Sequence, residues 1–338
     1  MKKKIKLNDS NLLLVITIVI FTLMYLGAII FQGGGFTKPQ MFFNQFNNNA
    51  ALIITACGMS VVMITGGIDI SVGGVVALVS MCCAVYLDNP NGNGTIGGSI
   101  LIALGIGIAY GIVQGFLVAY LDIQPFIVSL AGMFFARGMT TIVNTAPFNV
   151  ENEKFKALKL TKVTIPFIGS INKKGEFSPA YVEIGVIVAL LIVILLFVVL
   201  RWTKLGRCFY AVGGNKQSAL MLGINVRRTK FLSHLICSTL AGIAGYVYFL
   251  HVGSGSASHA TGMEMQAIAS SIIGGTMLTG GVGNIIGTLF GVLSLSTIQN
   301  IVSLAGLDQA WWTGITIAAM LGIFLIIQSV VMAQRKKA

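Results

Sequence analysis

The sequence predicts an all-α polytopic membrane protein of about ten transmembrane helices in two pseudo-symmetric halves, with N- and C-termini cytoplasmic. Three observations predict it. Of 338 residues, 55% are hydrophobic and only 9% charged, whereas a soluble domain carries about 25% charged residues. The apolar residues fall into repeated blocks of about 17 to 24, the length a helix needs to cross about 30 Å of hydrocarbon, without the alternation of a spanning β-barrel. The basic residues collect in three places: Lys2, Lys3, Lys4 and Lys6 before the first block, Arg335, Lys336 and Lys337 after the last, and seven in residues 201–230, which hold no acid. By the positive-inside rule all three are cytoplasmic, so an even number of spans separates each from the next.

The blocks place spans at 12–31, 46–64, 71–87, 97–120, 123–143, 181–200, 231–250, 264–279, 284–304 and 310–331. The chain reads as one transmembrane domain, 1–338, with a first half at 12–143, a periplasmic loop at 144–180 and a sixth helix at 181–200. A cytoplasmic segment at 201–230 and a second half at 231–331 follow. The outer loop holds six lysines, but long loops translocate largely regardless of charge. The run 12–31 is long and ends in IIFQGGG without a small-x-small cleavage site, so it reads as a retained span. The net charge of +12 is thereby a topology signal and not a nucleic-acid one. Cys57, Cys82, Cys83, Cys208 and Cys237 have no metal-ligand spacing and read as packing residues.

Spans two to five and seven to ten read as repeats, each containing paired glycines at a short segment: ITGGIDISVGG from Ile64 and IGGTMLTGG from Ile273. Glycine-interrupted segments in corresponding positions of two halves point to a transport site. Residues 267–278 are short enough for a re-entrant or broken helix. Most other glycines, such as Gly107, Gly111 and Gly115, have the spacing that lets membrane helices approach closely.

Asp69 is costly beside a span and is a functional candidate for that reason. Asp69 and Ser71 also stand just before an apolar run, where either could cap a helix, and capping is preferred over solute contact. Arg137 lies about 21 Å along a helix from the cytoplasmic side, within reach of the outer interface by snorkelling or of an internal salt bridge, with a sugar or gate contact as the lesser reading. His251 and His259 fall in an outer segment that reads as solvated loop, and Trp311 and Trp312 read as an interfacial anchor. In the cytoplasmic segment Asn215 caps a short helix over 216–222 that Gly223 ends, with Ala219, Leu220 and Leu222 apolar. That helix is a docking element or lies on the inner leaflet. GGNKQS lacks the spacing and the Gly-Lys pair of a phosphate loop, and no catalytic motif appears elsewhere, so no catalytic or metal residue is assigned.

Five stretches taken together, GMSVVMITGGIDISVGG, QPFIVSLAGMFFARG, YAVGGNKQSALMLGINVRRTK, LAGIAGYVY and MQAIASSIIGGTMLTGGVGNIIGTLFGV, resemble the permease subunits of bacterial sugar ABC importers of the ribose and galactose group. The wording of AGMFFARG, GGVGNIIGTLFGV and WWT is most similar to a galactofuranose permease. The resemblance implies a multi-pass subunit of the bacterial cytoplasmic (inner) membrane, pairing with a second permease, identical or paralogous. It implies a cytoplasmic double ATPase that binds the ATP and Mg, and a periplasmic or lipid-anchored sugar-binding protein, with no cofactor in this chain. It further implies that residues 213–223 are the coupling helix, with Gly213, Gly214, Asn215, Ala219, Leu220 and Gly223 coupling to the ATPase. Gly66, Gly67, Asp69, Ser71, Arg137, Gly274, Gly275 and Thr276 would then lie along the translocation path. The lysine-rich stretch 151–183 is longer than this group leads one to expect. The competing expectation is a gradient-driven secondary sugar carrier, with Asp69 and Arg137 as coupling charges.

Overall fold

The computed structural model describes residues 9–32, 36–88, 94–171, 176–307 and 309–337; the N-terminal lysines lie outside them. The first half comprises α1 (Asp9–Gln32), α2 (Pro39–Ile64), α3 (Val72–Leu87), α4 (Ile96–Ala119) and α5 (Pro125–Val143). Then come β1 (Phe148–Asn149), α6 (Glu153–Leu160), β2 (Lys162–Ile171), β3 (Phe177–Glu183), α7 (Ile184–Trp202), α8 (Lys204–Gly214) and α9 (Lys216–Met221). The second half is α10 (Val226–Val252), β4 (Ser254–Gly255), α11 (Met263–Ile273), α12 (Ile285–Leu304) and α13 (Ala310–Lys337).

Among the described residues eight helices are long and apolar enough to span a membrane: α1, α2, α4, α5, α7, α10, α12 and α13. The other two expected spans are α3 and α11, of 16 and 11 residues, or about 24 and 16 Å at 1.5 Å per residue. The expected span 264–279 is therefore not one helix, because Gly274 and the left-handed Gly275 (φ 88°) stop it at Ile273. The expected span 46–64 starts earlier, at Pro39 in the first helical turn, through a Gln/Asn-rich extension that hydropathy cannot detect.

Local side-chain capping explains six of the helix starts. Thr95, Asn152, Thr203, Asn215, Asn225 and Asn284 each accept the backbone N–H of the second or third residue of α4, α6, α8, α9, α10 and α12. Gly253, left-handed at φ 77°, ends α10.

α2 runs through the middle of the bundle, buried along nearly its whole inner length, against α7, α10, α11 and α12. α4 lies on α10 with Gly107, Gly111 and Gly115 facing Ser238, Leu235 and Phe231; a Cβ at any of the three would fall 2.8–2.9 Å from backbone atoms of α10. These glycines are the packing positions that their spacing predicts.

The described residues of the expected outer loop 144–180 include regular structure. β2 and β3 form an antiparallel hairpin from Lys162↔Glu183 to Ile171↔Phe177, with an irregularity between Ile165 and Gly169. It leans on the outer turns of α2. The Tyr181 N–H donates to Gln40 Oε1 and the Glu183 N–H to Asn47 Oδ1, both at 2.9 Å. Polarity between apolar blocks makes this stretch read as loop, while the β-branched content of KVTIPFIGSI is the available strand signal.

Candidate functional site: two breaks and a coupling segment

The short helices α3 and α11 occupy the second position of the two expected repeats, α2–α5 and α10–α13. Their glycine motifs do not correspond in the same way: the first precedes α3 and the second follows α11. Each break must satisfy helix ends that would otherwise leave bare peptide groups in hydrocarbon.

At the first break Asp69 is wholly buried. Its Oδ1 accepts the Ser71 amide at 3.1 Å and the Ser71 hydroxyl at 2.6 Å, and Gln114 Nε2 donates to that hydroxyl at 2.7 Å. Oδ2 accepts a long bond from Ser238 Oγ at 3.5 Å and faces His234 Nδ1 at 3.8 Å, within ion-pair range but beyond a hydrogen bond. Ser71 therefore does not cap α3 with its side chain; Asp69 consumes it. The preferred capping reading is thus corrected: neither side chain caps α3, and Asp69 instead fixes the amide of Ser71, the residue before the helix, and ties that turn to α4 and α10. Sequence reasoning singled out none of Gln114, His234 and Ser238, which are 45, 165 and 169 residues from Asp69 in the chain; no local pattern links them.

At the second break Thr17 Oγ1 and Gln328 Nε2 donate to the Ile273 and Ile272 carbonyls at 2.8 and 2.6 Å, covering the buried end of α11 from α1 and α13. The chain then turns through Met277 N–H to Val282 O (3.0 Å), and the Gly281 N–H reaches the Ile64 carbonyl of α2 at 2.9 Å. The two breaks thus touch. Gly67, Asp69, Ser71, Gly274, Gly275 and Thr276 are all buried within the single subunit. They pack its interior rather than line an open wall, whereas Gly66 is exposed.

Arg137 neither snorkels outward nor, among the described residues, forms an ion pair at 4.0 Å or less. Its guanidinium donates to the carbonyls of His259 (2.5 Å) and Ala260 (2.8 Å), with Glu264 close enough to act on its charge. The segment expected as solvated loop therefore descends beside α3: His259 Nδ1 lies 3.4 Å from Ser80 Oγ, and Glu264 lies against Gly73 at the N-terminal turn of α3, the favourable end for a carboxylate. His251 Nδ1 contacts Glu183 Oε2 at 2.7 Å. Trp311 and Trp312 stack at 4.8 Å with Trp311 exposed, as expected of an anchor.

In the segment expected to couple to an ATPase, Asn215 accepts the Ser218 N–H at 2.9 Å, and Gly223, left-handed at φ 76°, closes α9 as the Ile224 N–H bonds back to the Ala219 carbonyl. Ala219 turns inward against Val212 and Val226, so it supports the helix and does not belong to its outer face. Leu220, Met221 and Leu222 are 50%, 83% and 78% exposed. Beside them lies a cavity of about 640 Å³, bordered by Asp122, Lys216, Leu220, Arg227 and Lys230.

Comparison with known proteins agrees with this architecture. The family described as "Branched-chain amino acid transport system / permease component" matches residues 41–325. The inner membrane ABC transporter permease protein YjfF of Escherichia coli K12 is 37% identical over 322 residues, covering 94% of this chain and 92% of that one. The fructose import permease protein FruG of Bifidobacterium longum NCC 2705 is 34% identical over 333 residues, covering 98% and 95%. The ribose import permease protein RbsC of E. coli K12 is 33% identical over 268 residues, covering 79% of each. No solved structure gives a significant match. With eight helices long and apolar enough to span a membrane among the described residues, two shorter ones and a match over most of its length, the chain belongs to the branched-chain amino acid transport system / permease component family.

Proposed function

We propose that this chain is the transmembrane permease subunit of an ATP-driven sugar importer in the bacterial inner membrane. It would work with a second permease, a cytoplasmic double ATPase that binds ATP and Mg, and a binding protein that delivers the sugar from outside. The observation that carries the reading is α9: a short, capped helix on the cytoplasmic side whose three consecutive apolar side chains stand in the open beside a charged cavity. Exposed apolar side chains rimmed by polar ones mark a protein interface. The cargo is a monosaccharide on the names of the fructose and ribose relatives, and the finer reading, galactofuranose, rests on AGMFFARG, GGVGNIIGTLFGV and WWT.

Leu220→Asp places a charge on the docking face without touching the bundle interior. The expected result is a chain that reaches the membrane in normal amount, no longer retains the ATPase on purification, and loses uptake. Undiminished uptake by that variant rejects the proposal. The gradient-driven alternative is favoured by the buried Asp69 and His234 alone; transport by the isolated chain in liposomes, under an ion gradient without ATPase, would establish it instead.

A further inference from the structure

Three backbone segments meet at one point on the cytoplasmic side of the bundle. The end of α2 brings Ile64 and the left-handed Gly66 (φ 84°), the end of α8 brings Gly213 and Gly214, and the second break brings the left-handed Gly280 and Gly281 (φ 82° and 76°). They are in direct backbone contact. A Cβ on Gly213 would overlap the Ile64 carbonyl oxygen and fall 2.7 Å from the Gly281 nitrogen. One on Gly280 would lie 2.9 Å from the Gly213 oxygen and 3.0 Å from Gly66 Cα, and one on Gly281 would lie 2.7 Å from Gly214 Cα. Real Cβ contacts are not that short, so a side chain at any of these positions pushes the segments apart.

Two hydrogen bonds close the contact. One is the Gly281 N–H to the Ile64 carbonyl, and the other is the Tyr210 hydroxyl of α8 donating to the Gly283 carbonyl at 2.9 Å. Burial pushes the Tyr210 phenol up to about 12, so it stays a neutral donor throughout the physiological range. A single residue, Asn215, separates α8 from α9, ending the one and capping the other. A displacement of α9 therefore has one residue to cross before it bears on both breaks.

We infer that this glycine junction, with Tyr210 as its positioning residue, passes the movement of α9 to both breaks at once, so that α3 and α11 respond together to one input. The inference rests on the reading of α9 as the element the ATPase moves. Gly213 and Gly214 thereby act inward, as the seat through which the helix bears on the bundle, while Leu220 to Leu222 meet the partner.

The test compares Tyr210→Phe and Gly213→Ala with Leu220→Asp in the whole importer. ATPase retained on purification, ATP hydrolysis, and cellular uptake of labelled ribose, fructose, galactose and galactofuranose are followed for each. Tyr210→Phe and Gly213→Ala are expected to keep the ATPase bound and hydrolysing, while sugar moved per ATP falls about tenfold, within the usual range of coupling energies. A merely structural role would lower uptake and hydrolysis in parallel. If Leu220→Asp sheds the ATPase but sugar per ATP is unchanged in the junction variants, or falls only with hydrolysis, the junction inference is wrong and the docking reading stands. If Leu220→Asp retains both ATPase and uptake, the docking reading fails first. Should Gly213→Ala not accumulate in the membrane, Tyr210→Phe decides alone, since it adds no atom.

Discussion

Between α2 and α3 the chain turns through seven residues gathered around a carboxylate, whereas between α11 and α12 it turns through eleven with no charged residue. The first break is fixed by side chains: Asp69, Ser71 and Gln114 hydrogen-bond in sequence, with His234 and Ser238 at the far oxygen. The second has side-chain bonds only where Thr17 and Gln328 cover the end of α11; beyond that it is fixed by close backbone approach, with Gly274 against Gly287 and Thr288, Gly280 against Gly213, and Gly281 against Gly214. Polar and steric solutions to the same interruption have different weaknesses. A buried polar network fails when one partner is removed and the others are left unsatisfied, whereas a close-packed backbone fails when anything is added.

The largest effect is expected at the steric break. Gly274→Val puts atoms where a Cβ alone already falls 2.5 Å from backbone atoms of Gly287 and Thr288. It should cost about 3 kcal/mol, the upper end for overpacking, read as a lowered unfolding temperature in detergent. Next is Asp69→Ala, which strips the acceptor from Ser71 and leaves buried donors behind. About 2 kcal/mol is expected by the same measurement, in line with orphaned buried groups. Asp69→Asn keeps an acceptor oxygen, so mild loss of stability with near-normal uptake is expected if the role is structural. Uptake that collapses while the protein stays folded would mean that the charge itself is used, and the comparison of the breaks would have to be redrawn.

Gly132→Ala is a smaller intrusion into the polar break, because the Cβ would meet the flexible end of Gln114 at 2.6 Å. About 1 kcal/mol is expected, at the low end of overpacking costs. The smallest change belongs to Thr276→Val. The Thr276 hydroxyl is buried with no hydrogen-bond partner among the described residues, so replacing it by a methyl of similar shape should be neutral or slightly stabilising. A loss above about 1 kcal/mol would show that the turn after α11 depends on a polar contact of Thr276 as well.

The same contrast explains what the sequence revealed. The glycine pairs, Asp69 and the Asn215 cap were legible because the chemistry is local: a left-handed turn, a charge beside an apolar run, an amide cap three residues from its donor. Half-length α11 was legible as a short segment, but its end was not, since Thr17 and Gln328 cover it from the first and last helices. Arg137 was legible as an anomaly but not in its role, because the carbonyls it binds are 122 and 123 residues away. The Asp69–His234 approach and the Tyr210–Gly283 bond are likewise tertiary. The hairpin was illegible for another reason: its strands lie in a polar stretch whose only strand signal is the β-branched content of KVTIPFIGSI.

The 26 residues of α2 join two distant addresses, since Gln40 and Asn47 hold the outer hairpin and Ile64 accepts from the second break. At 3.6 residues per turn, each inserted residue would rotate one address by about 100° against the other. The length of α2 is thus as much a specification as its composition. A one-residue insertion between Asn47 and Ile64 should be far more damaging than the same insertion just before Pro39, which leaves the two addresses in register.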